Sequence, residues 1–297
     1  ARSVACWGGG QITPTTVSGL SAPIQAIAVG VYHACALTGE PATAGGVKCW
    51  GGNYRGQLGD GTTTNSDVPV DVVGLTSGVK AIAAGQNHTC AITTAGLVKC
   101  WGADDSGQLG GFRAAALAVP QAVAGLGAPA QAITAGLGHT CALTVNGAVK
   151  CWGANESGQL GNGQTTMSYE PVDPLGLTGN VLAITAGHAH TCALAGSGAE
   201  ARVLCWGNNR AGQLGVGTTL DHLTPQPSRG LAGPASAINA GDFHTCAIVA
   251  AGAGAGSILQ CWGDDFSAQA GVNPGWLPVD VIAPDAILYL PSITQNK

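Results

Sequence analysis

Short apolar runs bounded by glycine recur along the whole chain. Within residues 68–110, four such runs cover residues 68–72, 79–84, 89–93 and 97–101. They alternate apolar with polar positions or are rich in β-branched residues, which is typical of short strands. No stretch of the sequence keeps a helical apolar period over ten residues. The pattern therefore predicts an all-β chain built from units of three or four antiparallel strands.

Three motifs repeat in a fixed order along the sequence. Cys-Trp-Gly occurs six times, beginning at Cys6, Cys49, Cys100, Cys151, Cys205 and Cys261. His-x-Cys occurs five times, beginning at His33, His88, His139, His190 and His244. Gly-Gln-Leu-Gly begins at Gly56, Gly107, Gly158 and Gly212, with an eroded copy at residues 268–271. Because the three spacings agree, they mark one repeated unit of about 50 residues.

Such units predict a single β-propeller domain over residues 1–297, with about six blades and seven as the alternative. The units are approximately residues 9–51, 52–102, 103–153, 154–207, 208–263, and 264–297 together with 1–8. We expect the N-terminal strand, residues 4–8, to join the last blade, because closing the ring removes exposed sheet edges. The tail at residues 285–296 would supply the missing neighbouring strand. The alternative is that the chain is a fragment of a longer array.

The third and fourth strands of each unit are predicted to form a tight hairpin. Its connection ends in glycine, as at residues 94–96 and 145–147, which suits a type I turn followed by a left-handed residue. This register sets two cysteines opposite each other, close to the separation that a disulfide needs. The predicted disulfides are Cys35–Cys49, Cys90–Cys100, Cys141–Cys151, Cys192–Cys205 and Cys246–Cys261.

One of the eleven cysteines, Cys6, has no hairpin partner, so we expect a free thiol there, either buried or intermolecular. Reduced thiols and a metal site are the alternatives to the disulfides. Cys-x-x-Cys is absent from the sequence, and each unit offers one His and two Cys. Repeated disulfides predict an oxidising location: secreted, periplasmic or at the cell surface. No signal peptide is visible, so we expect a mature form.

Charge and composition exclude several classes of function. The chain carries a net charge of −5, has only 9% charged residues and shows no Lys/Arg cluster, so we expect no nucleic-acid partner. Its apolar stretches fall well below the ~20 residues that a bilayer-spanning helix needs, so we expect no membrane span. A hydrophobic content of 45% argues against disorder.

The repeated residues resemble the regulator of chromosome condensation repeat family. The shared pattern runs from Trp-Gly through Asn/Asp-x-x-Gly-Gln-Leu-Gly and Pro-Val to Ala-Ile and Gly-x-x-His-x-x-Ala-Leu. It is met most fully at residues 47–59, 81–92, 98–110, 132–143 and 149–161. The resemblance covers nearly the whole chain and implies a β-propeller, usually of seven blades. The count of six and the paired cysteines depart from the family pattern and favour a bacterial-type, extracellular version.

Members of this family do different work, so the resemblance implies a binding platform without naming its partner. The nuclear founder promotes nucleotide exchange on a small GTPase and binds chromatin. The propeller-type β-lactamase inhibitory protein, which is similar in architecture, clamps an enzyme with its loops. The resemblance therefore leaves both regulation and inhibition open for this chain.

The residues just after each Trp-Gly vary while the surrounding motif stays constant. On a ring these loops lie on one face, and function tends to sit on loops that a rigid scaffold holds. The predicted partner-binding residues are Asn53, Tyr54, Arg55, Asp104, Asp105, Asn155, Glu156, Asn208, Arg210, Asp264, Asp265, Phe266 and, outside the repeats, Trp276. A polar turn surface without a partner is the alternative.

Candidate chemistry is otherwise sparse. The repeated His is expected to be a structural hydrogen-bonding group inside each blade, and the repeated Trp a packing wedge between blades. His188 lies outside the repeat register and lacks a third metal ligand. We expect no catalytic residue, no metal and no cofactor. The predicted function is a non-catalytic, secreted protein-binding propeller; the alternatives are a structural subunit of an extracellular or envelope assembly, an enzyme inhibitor and, with least support, an enzyme.

Overall fold

The computed structural model describes residues 3–8, 11–40, 44–177, 179–251, 256–264 and 279–280. The strands are β1 (Ala5–Gly8), β2 (Gln11–Thr16), β3 (Ile24–Val29), β4 (His33–Thr38), β5 (Gly46–Gly51), β6 (Ser66–Asp71), β7 (Val79–Ala84), β8 (His88–Thr93), β9 (Val98–Ala103), β10 (Ala116–Ala122), β11 (Ala130–Ala135), β12 (His139–Thr144), β13 (Val149–Gly153), β14 (Ser168–Val172), β15 (Val181–Ala186), β16 (His190–Ala195), β17 (Arg202–Gly207), β18 (His222–Pro227), β19 (Ala235–Ala240), β20 (His244–Ala250), β21 (Ser257–Gly263) and β22 (Val279–Asp280). One short 3₁₀ turn covers Gly198–Glu200. The all-β prediction is confirmed for these residues, among which no helix is long and apolar enough to cross a membrane.

The described strands form five four-stranded antiparallel sheets and one two-stranded sheet. The four-stranded sheets are β3–β6, β7–β10, β11–β14, β15–β18 and β19–β22, and the two-stranded sheet is β1 with β2. The first strand of each four-stranded sheet packs against the first strand of the next, in chain order. These strands therefore lie innermost, and the sheets follow one another as the blades of a β-propeller do.

Each Pro-Val strand belongs to the blade before it. β6 pairs with β5, with Cys49 opposite Val70, and not with β7. The four-stranded blades are therefore offset by one strand from the sequence units, in which the Pro-Val strand comes first among the strands. The reason is local: the Gly-Gln-Leu-Gly loop returns the chain beside β5, whereas the link from β6 crosses to the next blade. Pro69 thus lies in an outer edge strand, where its missing N–H is tolerated.

The predicted hairpin geometry and disulfides are present. Gly96 and Gly147 have φ of +79° and +76°, the left-handed conformation expected at the end of the connection. Cys90 lies directly opposite Cys100. All five predicted pairs are disulfide-bonded, with Cα–Cα separations of 4.0–4.1 Å. Cys6 has a free thiol and is exposed rather than buried.

Apolar side chains fill the space between successive blades. The first such cluster joins the Cys35–Cys49 disulfide and Leu58 of one blade to Trp101 of the next. The later clusters use the same arrangement around Trp152, Trp206 and Trp262. These four indoles are fully buried, as expected for wedges that hold neighbouring blades together.

Most of the residues that were predicted to close the ring lie outside the described residues. β1 pairs with β2, with Cys6 opposite Thr15, and Val4 packs with Ile24 and Trp50 against the first blade. The predicted partner of β1 in the tail at residues 285–296 lies outside the described residues. The closed six-blade ring and the single domain over residues 1–297 therefore stay predictions.

Candidate protein-binding face

A repeated hydrogen-bonded latch joins each blade to the next beneath the predicted loops. His88 Nε2 donates to Thr140 Oγ1 of the following blade at 3.0 Å. Thr140 Oγ1 in turn donates to the main-chain oxygen of Gln108 at 2.9 Å, and Trp152 Nε1 donates to the same oxygen at 2.9 Å. The equivalent pairs are His33–Thr89, His139–Thr191 and His190–Thr245. The repeated His therefore acts between blades, not inside each blade as the sequence suggested.

The latch histidines are held in the neutral form. Because each Thr hydroxyl gives its proton to a main-chain oxygen, it accepts from the His, which fixes the proton on Nε2. Desolvation by burial lowers the pKa of His33 to about 4, and that of His88, His139 and His190 to about 3. The Nδ1 atom of each of these four rings is buried without a hydrogen-bond partner. A buried neutral imidazole without a ligand geometry is structural, which agrees with the sequence interpretation.

An Asn or Asp inside each loop organises it from within. Asn53 is completely buried; its Oδ1 accepts from Leu58 N at 2.9 Å and its Nδ2 donates to the main-chain oxygens of Thr62 and Thr64. Asp104, Asn155 and Asn209 occupy the same position in the next loops and are equally buried. Burial, the largest effect on it, raises the pKa of Asp104. These side chains shape the loop from within, and their predicted part in binding a partner stays a prediction.

The predicted site residues therefore divide into two groups. Asn53, Asp104 and Asn155, which the sequence placed in the binding set, lie inside their loops. The residues that follow these three, Tyr54, Asp105 and Glu156, point outward and are exposed, as is Arg210, which follows Asn209. Arg55 Nη2 lies 3.1 Å from Asp105 Oδ2 and links two neighbouring loops at the surface.

The fourth loop is shifted by one residue relative to the predicted triplet. The internal residue of the fourth loop is Asn209, which sequence reasoning did not single out, and Asn208 is half-buried and accepts from Gln213 Nε2 at 2.8 Å. Asp264 is half-buried. Asp265, Phe266 and Trp276 lie outside the described residues, so their predicted role stays a prediction.

A second set of variable residues, missed from the sequence, shares this end of the blades. These are the two residues between Gly and the latch His in each Gly-x-x-His turn. Tyr32 meets Tyr54 edge-on with ring centroids 6.0 Å apart, and His188 stacks on Phe243 at 5.0 Å. Tyr54 also donates to Asn87 Oδ1 at 2.7 Å. The rule that found the loops, variable residues within a constant motif, applies equally to these turns. We call the turns and the loops together the loop face.

The turns also close the inner rim of the face. Main-chain hydrogen bonds run from Gln86 N to Leu137 O, from Leu137 N to His188 O, and from His188 N to Asp242 O, at 3.0–3.2 Å. They bind four successive blades around the axis. The rim surrounds a central cavity of about 360 Å³. The face is therefore built on a stiff support, as a preorganised binding surface requires.

Two further cavities open between the loops of the face. One of about 340 Å³ is bordered by Asp105, Glu156 and His188. The other, of about 480 Å³, is bordered by Arg210, Phe243 and Asp264. Among the described residues no group of three or more His, Cys, Asp or Glu is arranged to hold a metal ion. What the face offers is shape, aromatic rings and charge of both signs.

Comparisons with known proteins agree with this architecture. The RCC1-like domain family matches residues 8–288. The ultraviolet-B receptor UVR8 of Arabidopsis thaliana is 36% identical over 206 residues, covering 68% of this chain and 45% of that protein. The mitochondrial RCC1 domain-containing protein RUG3 of the same plant is 32% identical over 276 residues, covering 90% of this chain and 59% of that protein. The chain thus spans about half the length of these relatives.

Solved structures show the same fold. Human WBSCR16 superposes with a TM-score of 0.79 at 23% identity, covering 94% of this chain and 74% of that chain. Prp20p of Saccharomyces cerevisiae gives a TM-score of 0.72 at 26% identity, covering 91% of this chain and 68% of that chain. Together with the repeated latch and loops, the match over residues 8–288 means that this chain belongs to the RCC1-like domain family.

Proposed function

We propose that this chain is a non-catalytic protein-binding propeller of an oxidising compartment, secreted, periplasmic or at the cell surface, and that the loop face is its binding surface. One observation carries the proposal. In each of the four loops that the structure describes, a buried Asn or Asp keeps the backbone the same, while the next residue is exposed and differs: Tyr54, Asp105, Glu156 and Arg210. A constant support under changing side chains is what a recognition surface needs.

The composition of the face supports a protein partner. Aromatic residues and Arg dominate the energetics of protein interfaces. Tyr32, Tyr54 and Phe243 are 41–52% exposed, and Arg210 is exposed near Phe243. Large exposed rings on a rigid face are costly to leave in water, so a partner that covers them gains apolar burial.

The family supports the same class of function. RCC1-like propellers are commonly protein-interaction domains. Yeast RCC1 (Prp20) was crystallised bound to Kap60, and the structure of Prp20p was described with its binding properties to Gsp1p and histones. Those partners belong to Prp20. What this chain shares with Prp20 is the RCC1-like propeller, and binding of a protein through its loop face is our proposal for this chain.

The compartment rests on the five disulfides, since thiols inside most cells are kept reduced. Thiol titration of the native protein after denaturation without reductant tests it. We expect one reactive thiol per chain, that of Cys6. Eleven reactive thiols would contradict the oxidised framework and the proposed location with it.

Affinity capture tests the face. The immobilised chain is exposed to the extracellular fraction of its source, and the affinity of the captured protein is then measured by calorimetry. We expect the triple substitution Tyr54→Ala, Arg210→Ala and Phe243→Ala to weaken that affinity at least a hundredfold. The matched control is Leu97→Ala with Val145→Ala, two exposed residues (57% and 53%) at the hairpin end of the blades.

Two results would count against the proposal. Equal loss of affinity in the hairpin-end control would move the site away from the loop face. Light scattering that shows a stable oligomer of the purified chain, with no captured protein, would favour the structural-subunit alternative instead.

A further inference from the structure

One cavity of the loop face is lined by two largely buried Gln side chains whose amide N–H groups have no acceptor within the described residues. It is the cavity of about 340 Å³ that the turns and loops of the second to fourth blades border. Its walls include Gln108 and Gln159, the Gln of two Gly-Gln-Leu-Gly motifs, which are only 6% and 4% exposed. The chemistry of these two amides defines what the cavity can bind.

The four described Gln side chains of this motif share one orientation. Each Oε1 accepts a main-chain N–H two residues before it in its own loop, at 2.9–3.0 Å. This bond fixes which end of the amide is oxygen, and therefore leaves Nε2 as the end that needs an acceptor.

Two of the four amides find that acceptor within the protein. Gln57 Nε2 donates to Asn87 Oδ1 at 3.3 Å, and Gln213 Nε2 donates to Asn208 Oδ1 at 2.8 Å. Asn87 lies in the turn of the next blade, whereas Asn208 follows the Trp-Gly of the same loop. The positions of these two Asn show where an acceptor can stand.

Gln108 and Gln159 lack both kinds of acceptor. Gly138 stands where Asn87 would be for Gln108, and Ala154 stands where Asn208 would be for Gln159. Within the described residues neither Nε2 atom has a hydrogen-bond partner. The small side chains thus open the cavity and at the same time leave two donors facing it. Both side chains are more than nine-tenths buried, but neither Nε2 is among the fully buried atoms that lack a partner, so water of the cavity reaches it. An acceptor from a ligand can replace that water without breaking any hydrogen bond within the protein.

The rim of the same cavity is acidic. Asp105 and Glu156 border it, and none of its described lining residues is Lys or Arg. Glu156 is exposed and makes no ion pair among the described residues, while Asp105 shares an exposed pair with Arg55. An exposed pair of this kind is weak, so both carboxylates can accept a cation.

We propose that this cavity binds a peptide segment of the partner, whose main-chain oxygens accept from Gln108 and Gln159 and whose Lys or Arg side chain meets Asp105 and Glu156. The proposal rests on the function proposed above, and names the chemistry of one part of that face. A peptide with a basic side chain satisfies both requirements at once, because its carbonyls are strong acceptors and its cation complements the acidic rim.

Side-chain amide resonances give a direct test. The uniformly ¹⁵N-labelled chain is titrated with acetyl-Gly-Arg-Gly-amide, and with acetyl-Gly-Glu-Gly-amide for comparison. We expect the Arg peptide to shift the NH₂ signals of Gln108 and Gln159, and to leave those of Gln57 and Gln213 in place as internal controls. Shifts of the same size with the Glu peptide, or shifts in all four Gln signals, would overturn the proposal.

Two substitutions close the cavity by copying the neighbouring blades. Ala154→Asn supplies Gln159 with an acceptor at the position of Asn208, which serves Gln213. Gly138→Asn supplies Gln108 with an acceptor at the position of Asn87, which serves Gln57. A Cβ at Gly138 would lie 3.4 Å from the Ala154 Cβ, an ordinary contact. We expect at least tenfold weaker binding of the Arg peptide by each variant. Asn208→Ala removes the acceptor of Gln213 and a 3.5 Å hydrogen bond to Ser157 Oγ but leaves Gln108, Gln159 and the acidic rim unchanged, and should bind the peptide like the wild type.

The charge requirement has its own variant. Glu156→Gln keeps the shape of the rim. It should weaken binding of the Arg peptide several-fold without changing the midpoint of thermal unfolding. Unchanged binding in Glu156→Gln and in Ala154→Asn would overturn the proposal. Its failure is distinguishable from failure of the face: if the face variants abolish partner capture while this cavity ignores the peptide, only the peptide assignment falls.

Discussion

The latch between blades and the loop face above it are built from the same segment and obey opposite rules. The Gln108 main-chain oxygen receives two buried hydrogen bonds from the next blade. A few residues earlier in the same loop, Asp105 is exposed and pairs only with Arg55. The latch recurs in four blades with nearly the same distances, whereas the face changes in each. The comparison teaches that stability and recognition are divided within a single loop.

This division has a physical cause. A buried donor or acceptor that loses its partner costs free energy that no solvent can restore, so each latch position tolerates few residue types. An exposed side chain on a fixed backbone changes stability little. The internal Asn or Asp of each described loop lies between the latch and the loop face. It is buried like the latch, and yet it belongs to the loop.

Acid should break the latch with the largest effect of any treatment. The pKa of His88, His139 and His190 is lowered to about 3 and that of His33 to about 4, against 6.5 in the unfolded chain. Below pH 6.5 the unfolded state therefore binds more protons, so stability is complete above that pH and falls as the pH drops toward 3–4. Each His contributes up to ~1.4 kcal/mol per pH unit. Asp104, whose pKa is raised, changes the pH dependence of stability in the opposite direction, but it is one group and the histidines are four.

Urea unfolding at pH 7, 6, 5 and 4 measures this effect. We expect a steep loss of unfolding free energy over the series. The variant His88→Gln should be less stable at pH 7. Its unfolding free energy should fall less steeply with decreasing pH, because unfolding then takes up about one proton fewer. A flat profile between pH 6.5 and 4 would show that the four rings are not held neutral by burial.

Removing one hydroxyl should weaken a single latch. Thr140→Val keeps the volume but leaves His88 Nε2 without an acceptor and takes one of two donors from Gln108 O. We expect a loss of about 1–3 kcal/mol, measured by urea unfolding at pH 7. Thr94→Val at the hairpin end is the control, because Thr94 is exposed. Equal stability of the two variants would mean that the latch contributes little.

The sequence was sufficient for most of the scaffold. Hairpin spacing predicted the disulfides, since opposed positions in a short hairpin follow from the turn, and the repeated Trp predicted packing between blades. The repeated His was placed inside a blade rather than between blades. Its partner, Thr140 for His88, is 52 residues away, and only the packing of successive blades brings the two together.

The sequence located the loops of the candidate site but not the orientation of their side chains, which also depends on contacts between residues distant in the sequence. Variable residues were found after Trp-Gly, but the sequence did not distinguish the internal Asn53 from the exposed Tyr54 beside it. That distinction depends on a loop that folds back so that Thr62 and Thr64 surround the Asn amide. The Gly-x-x-His turns were missed because their contribution depends on their position beside the loops, as the Tyr32–Tyr54 contact shows.

Substitutions of exposed residues on the loop face should have the smallest effect on stability. They therefore test most directly whether the face is separate from the buried scaffold. Arg210→Ala and Glu156→Ala remove exposed side chains that make no ion pair within the described part of the chain. We expect each to change the unfolding free energy by less than about 0.5 kcal/mol. Asn155→Ala, one residue before Glu156, should cost well over 1 kcal/mol, because Leu160 N and the main-chain oxygens of Gln164 and Thr166 lose their partner. A large loss in Glu156→Ala, or none in Asn155→Ala, would erase the boundary between scaffold and face, because the two neighbours would then share one role.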